Sequence, residues 1–107
     1  MSVTLKHKNI LVTGATSGIG RLLTERLSTL GCNLAFCGRS SEKMQQVVSS
    51  VTNLNSAASK HYHQAFDISD YNAIEHFVSN ATAHLGDIDI LINCAGANTS
   101  RDSVANI

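Results

Sequence analysis

"TGATSGIG", residues 13–20, places three glycines in eight residues, after the apolar run "NILVT" (9–13) and before a stretch with helical spacing. A sharp turn from strand to helix needs a residue with positive φ, and Gly14 can adopt it without steric cost. Gly18 has no side chain, so backbone can come close to a ligand there. Gly20 lets the helix pack tightly on the strand. Unpaired N–H groups at the start of a helix, together with its dipole, favour an anion, most often a phosphate. The spacing is G-x-x-x-G-x-G. It differs from the common dinucleotide fingerprint G-x-G-x-x-G and from the P-loop, and no Lys follows it. Taken alone, the loop also fits a plain strand-to-helix turn.

The chain around the loop alternates. Four apolar runs, "NILVT" (9–13), "NLAFC" (33–37), "HYHQAF" (61–66) and "DILINC" (89–94), are separated by three amphipathic stretches. The first and last runs are almost continuously apolar, which is how strands buried on both faces of a parallel sheet read. Between them, Ile19, Leu23, Leu27 and Leu30 fall at helical spacing. So do Met44, Val47, Val48, Val51 and Leu54, and then Ile74, Phe77, Val78, Ala81 and Leu85. Gly31 and Gly86 stand where C-terminal caps belong. Ser40 or Ser41, and Ser69 or Asp70, stand where N-caps belong. The order β-α-β-α-β-α-β predicts an α/β fold with a doubly wound parallel sheet, Rossmann-like and partial. Right-handed crossovers then give strand order 3-2-1-4, with the first two helices on one face and the third on the other. Residues 1–107 read as one dinucleotide-binding domain, cut off after strand four, and "AGANTSRDSVANI" (95–107) reads as a polar loop.

Composition narrows the partners. Hydrophobic residues make up 43% of the 107 and charged residues 15%, which is globular rather than disordered. Eight Lys and Arg balance eight Asp and Glu, so no electrostatic case exists for nucleic acid or an anionic membrane. The three cysteines, Cys32, Cys37 and Cys94, form no C-x-x-C pair and read as reduced and structural. "MSVTLKHKNILV" carries no signal-peptide pattern, and no run approaches the length of a membrane span. The expectation is a cytoplasmic protein whose sequons at Asn80 and Asn98 are unused.

The motifs together are more specific than the loop alone. "TGATSGIG" resembles the T-G-x-x-x-G-I-G loop of the classical short-chain dehydrogenase/reductase family. "FDIS" (66–69) is similar to its Asp at the end of strand three, whose carboxylate meets the adenine ring. "DILINCAG" (89–96) is similar to its N-N-A-G motif at the end of strand four, with Cys94 in place of the second Asn. The resemblance runs from about Lys8 to Gly96. It implies a nicotinamide dinucleotide, with contacts from Gly14, Ser17, Gly18, Ile19 and Gly20 in the loop. Asp67 and Ile68 after strand three, and Asn93, Ala95 and Gly96 after strand four, complete the implied set.

The end of strand two bears on which nicotinamide binds. An NAD site needs an acidic residue about 20 positions beyond the loop to accept from the ribose 2′-OH. Gly38 stands there, 18 positions after Gly20, and Arg39 and Ser40 follow. A guanidinium can grip a 2′-phosphate that a carboxylate would repel, and a hydroxyl can assist. These residues favour NADP(H) over NAD(H). The Arg that many NADP-dependent relatives carry before the second loop glycine is absent, and Ser17 stands in its place.

Other candidates read as structural. His61 and His63 form an H-x-H on strand three, but no third ligand lies near, so no metal site is expected. An edge strand is the plainer reading, with His76 and His84 on a solvated helix face.

By resemblance, hydride transfer in the family depends on a Tyr and Lys in Y-x-x-x-K, with a Ser and an Asn assisting. Here Tyr62 has Phe66 four positions on and Tyr71 has Glu75. Asn106 follows "NCAG" too soon to match the assisting Asn. No catalytic residue is assigned, and the chain alone is expected to be inactive. The leading expectation is the cofactor-binding half of an NADP(H)-dependent oxidoreductase. "TSRD" (99–102) is similar to the "TRD" of 3-oxoacyl-carrier-protein reductases, with a gap two residues longer. The alternatives are a non-catalytic dinucleotide-binding or regulatory module and a fragment that binds nothing. By resemblance, full-length relatives form homo-oligomers. In this chain "ILIN" (90–93) is expected as an exposed apolar edge that lowers stability and favours self-association.

Overall fold

The computed structural model describes residues 5–54 and 59–94. Its elements run β1 (Asn9–Thr13), α1 (Gly18–Ser28), β2 (Asn33–Gly38), α2 (Ser41–Leu54), β3 (His61–Ala65), α3 (Tyr71–Leu85) and β4 (Ile90–Asn93). The alternation is the one expected, with strand ends shifted by a residue. All pairings are parallel, and the order is β3-β2-β1-β4. Parallel pairing brings the C-terminal ends of all four strands to one edge of the sheet, where Gly14, Arg39, Asp67 and Asn93 gather.

The two faces of the sheet hold separate cores. On one, Ile10, Val12, Leu34 and Phe36 pack against α1 and α2 through Leu27, Met44, Val47 and Val51. On the other, Leu11, Ala35 and Cys37 meet Phe77, Ala81 and Leu85 of α3. α1 and α2 also pack on each other, whereas α3 rests on β3 and β2. Two helices on one face and one on the other is the predicted arrangement.

Periodicity overstated the buried stripes. Ile19 is 69% exposed, Leu30 52%, Leu54 48% and Val78 41%. The inner face of α1 is instead Gly20, Thr24, Leu27 and Ser28. Small and hydroxyl side chains suffice because α1 lies close on the sheet. Thr24 returns its buried hydroxyl to the Gly20 carbonyl (2.7 Å), and Ser28 to that of Glu25 (2.6 Å).

The caps resolve the remaining choices. Ser40 Oγ accepts from the Lys43 N–H (3.1 Å) at the start of α2, and Asp70 Oδ1 from the Ala73 N–H (3.2 Å) at the start of α3. Gly86 caps α3 with φ of 100°. α1 is capped by Thr29 rather than Gly31, which takes its left-handed φ of 79° two residues later.

β4 departs from the reading of a strand buried on both faces. Ile90 and Ile92 pack on the α1/α2 core, but Leu91 is 64% exposed. Among the described residues β4 pairs with β1 alone and forms an edge of the sheet.

Candidate dinucleotide site

The glycine loop is held by backbone on two sides. The Ala15 N–H donates to the Cys37 carbonyl (2.9 Å), which lays the loop across the end of β2. The Cys94 N–H donates to the Thr13 carbonyl (3.0 Å), which ties the end of β4 beside it. Gly14 has φ of 72°, the left-handed turn expected of it. A Cβ on Gly20 would collide with the Gly14 carbonyl and sit 3.2 Å from the Cys94 Cβ, so this glycine permits the close approach of helix and strands.

Gly18 is different. It is exposed, and a Cβ there would meet no described residue within 4 Å. The open space lies at the first turn of α1. Ser17 is the N-cap, but its side chain does not cap the helix, and its hydroxyl donates back to the Gly14 carbonyl (3.2 Å). No acidic side chain occupies the first turn. The positive end of α1 is therefore not neutralised by its own side chains, and it faces open space with a glycine at its lip. These features fit a phosphate.

Arg39 and Asp67 follow β2 and β3, which are tied by the Phe66 N–H donating to the Gly38 carbonyl (2.9 Å). The Arg39 Nη2 lies 3.5 Å from Asp67 Oδ2, and both side chains are largely in solvent, 82% and 50% exposed. Asp67 Oδ1 accepts from the Ser69 N–H (3.0 Å) and the Ser69 hydroxyl (2.9 Å). These bonds, with a smaller contribution from Arg39, hold the Asp67 carboxyl below the usual carboxylate range. Ile68 is at the margin of exposure, 36%. Ser40 is engaged as the cap of α2, and its hydroxyl hydrogen is not used in accepting that bond.

At the end of β4, Asn93 Oδ1 accepts from the Thr13 hydroxyl (2.6 Å). Burial pushes the Cys94 thiol up, and pushes Cys37 further, to about 11. All three cysteines are free thiols. Ala95, Gly96, Thr99–Asp102 and Asn106 lie outside the described residues.

The residues set aside take packing roles. Tyr62 stacks on Phe77 (5.8 Å between centroids), lies near His84 (4.6 Å) and hydrogen-bonds Gln64 through its hydroxyl (3.1 Å). His61 and His63 both face the Phe36 ring, at 6.4 and 5.8 Å. Among the described residues no group of three or more His, Cys, Asp or Glu could hold a metal ion, and no helix is long and apolar enough to cross a membrane. Sequence reading passed over Thr16. Its side chain packs against Gly38, and the only sequence signal was its place in the loop.

Comparison with known proteins agrees with this geometry. The family model for short chain dehydrogenases matches residues 8–106. A short chain dehydrogenase of Pseudocercospora fijiensis is 34% identical over 92 residues, covering 86% of this chain and 29% of that protein. Dehydrogenase/reductase SDR family member 7B of Xenopus tropicalis is 36% identical over 96 residues, covering 86% and 31%. Among solved structures, a short-chain dehydrogenase/reductase from Serratia marcescens superposes with a TM-score of 0.77 at 29% identity, covering 97% of this chain and 44% of that one. The chain spans about a third of the length of the curated relatives it matches. Strand order, glycine-loop geometry and the match over residues 8–106 agree, and this chain belongs to the short-chain dehydrogenase family.

Proposed function

We propose that this chain holds the dinucleotide of an NADP(H)-dependent oxidoreductase that reduces carbonyls or oxidises alcohols. The dinucleotide, when bound, would supply the hydride for carbonyl reduction and accept it in alcohol oxidation. The first turn of α1, behind Gly18, takes the pyrophosphate, and Gly14 and Gly20 keep that turn close to the sheet. Asp67 and Ile68 border the adenine, Asn93 borders the far end of the site, and Ala95 and Gly96 join the set by their motif alone. Arg39 reads the 2′-phosphate, with Ser40 beside it. The observation that carries this preference is Arg39 itself. Its side chain is 82% exposed, it follows a glycine where NAD sites need a carboxylate, and among the described residues its ion-pair partner is Asp67 at 3.5 Å. The chain contains no Y-x-x-x-K, so the reading is of binding without turnover by these 107 residues. The 3-oxoacyl class of substrate rests on "TSRD" alone.

The test is NADPH binding, read from the fluorescence of the nicotinamide, with NADH as competitor. Wild-type chain is expected to bind NADPH at least tenfold tighter. Arg39→Leu is expected to lose that margin while NADH binding is unchanged, since a charge-assisted contact is worth about 1.5–3 kcal/mol. Equal affinity for the two cofactors in the wild type overturns the preference.

A further inference from the structure

Gly38 is not one of the glycines with left-handed backbone; among the described residues those are Gly14, Gly31 and Gly86. What demands a glycine at 38 is space. A Cβ there would lie 2.5 Å from Thr16 Cγ2, 2.6 Å from Thr16 Oγ1 and 3.0 Å from Thr16 Cβ. All three atoms belong to one β-branched side chain, whose χ1 has few alternatives. Neither partner can easily back away. The loop is pinned to β2 through the bond between the Ala15 N–H and Cys37 carbonyl, and Gly38 is pinned to β3 through the Phe66 N–H. Gly38 itself is buried.

We propose that Thr16 is a specificity-determining residue: its side chain fills the space a residue at position 38 would need, and so excludes the carboxylate that would select NAD(H). The inference rests on the proposed dinucleotide site. Arg39 attracts the 2′-phosphate, and Thr16 keeps a repelling group from standing one residue before it. Positions 16 and 38 are thereby coupled, and cofactor preference cannot be reversed at 38 alone. The nearest atoms are all side-chain atoms of Thr16, so trimming Thr16 opens the space without moving the backbone.

A four-chain cycle tests this: wild type, Gly38→Asp, Thr16→Gly, and the double variant, each measured for thermal midpoint and for the NADPH and NADH dissociation constants. Gly38→Asp alone is expected to lower the midpoint and weaken both cofactors about tenfold or more, because the loop is displaced. The double variant is expected to regain the midpoint of Thr16→Gly and to prefer NADH. A Gly38→Asp chain that keeps its midpoint and turns to NADH as fully as the double variant overturns the proposal. Should neither Asp variant fold, Gly38→Ala decides with and without Thr16→Gly. Rescue of its midpoint by Thr16→Gly supports the coupling, and additivity overturns it. If wild type binds neither cofactor, the dinucleotide reading fails, while the midpoints still report whether Thr16 and Gly38 are coupled.

Discussion

β1 and β4 carry nearly the same sequence message, short runs of Ile, Leu and Val, and lie side by side in register. Leu11 pairs with Leu91, and neighbours in register share a face. Leu11 is 4% exposed and Leu91 is 64% exposed. The difference comes from what lies over each. β1 has a strand on both sides, and the side chains of α3 close over Leu11. β4 has β1 on one side only among the described residues, and its α3-side face lies outside the cluster formed by Phe77, Ala81 and Leu85. An apolar run thus reports what a strand is suited to bury, and its neighbours determine what it does bury.

Truncations at this register pair measure what each strand buries. Leu11→Ala removes a buried side chain from the smaller core and is expected to cost about 2–5 kcal/mol in urea unfolding. A loss below about 1 kcal/mol would mean that the α3 face is not a formed core. Next in size is Asp70→Ala, which removes the cap that seats α3. It should cost about 1 kcal/mol by the same measurement. Leu91→Ala should stay within about 0.5 kcal/mol, since the side chain is mostly in solvent already. A large loss there would mean that Leu91 is covered, by self-association or otherwise, and sedimentation would tell which.

The opposite edge sharpens the contrast through pH. Burial of His61, and then the neighbouring charge of His63, lower the His61 pKa from the ordinary imidazole value of about 6.5. The native state then binds a proton less readily than the unfolded chain. Stability is complete above about pH 6.5 and is lost as pH falls from there through the lowered value. His61→Asn should flatten that part of the stability profile. An unchanged profile would remove the role of this edge.

The fold was legible because alternation, caps and right-handed crossovers act locally, and each left a mark in the sequence. Strand order followed from them, as did the left-handed turn at Gly14 and a cap at Ser69 or Asp70, of which the structure uses Asp70. Burial at the margins was not legible. Ile19 and Leu30 fit a helical stripe, but Ile19 is exposed and Leu30 lies beyond the end of α1, whose inner face is Gly20, Thr24, Leu27 and Ser28. The loop and strand-end residues of the proposed site were proposed from their motifs. The contact between Thr16 and Gly38 was not legible, because it joins positions 22 residues apart (38 minus 16) that meet only when the loop lies across β2.

The glycine loop beside this parallel sheet is proposed to hold a phosphorylated dinucleotide. Calorimetric titration of the purified chain, shown to be folded by circular dichroism, with NADPH and then NADH tests it most directly. Saturable NADPH binding, tighter than NADH, is the result expected. No heat with either cofactor from a folded chain would contradict the claim.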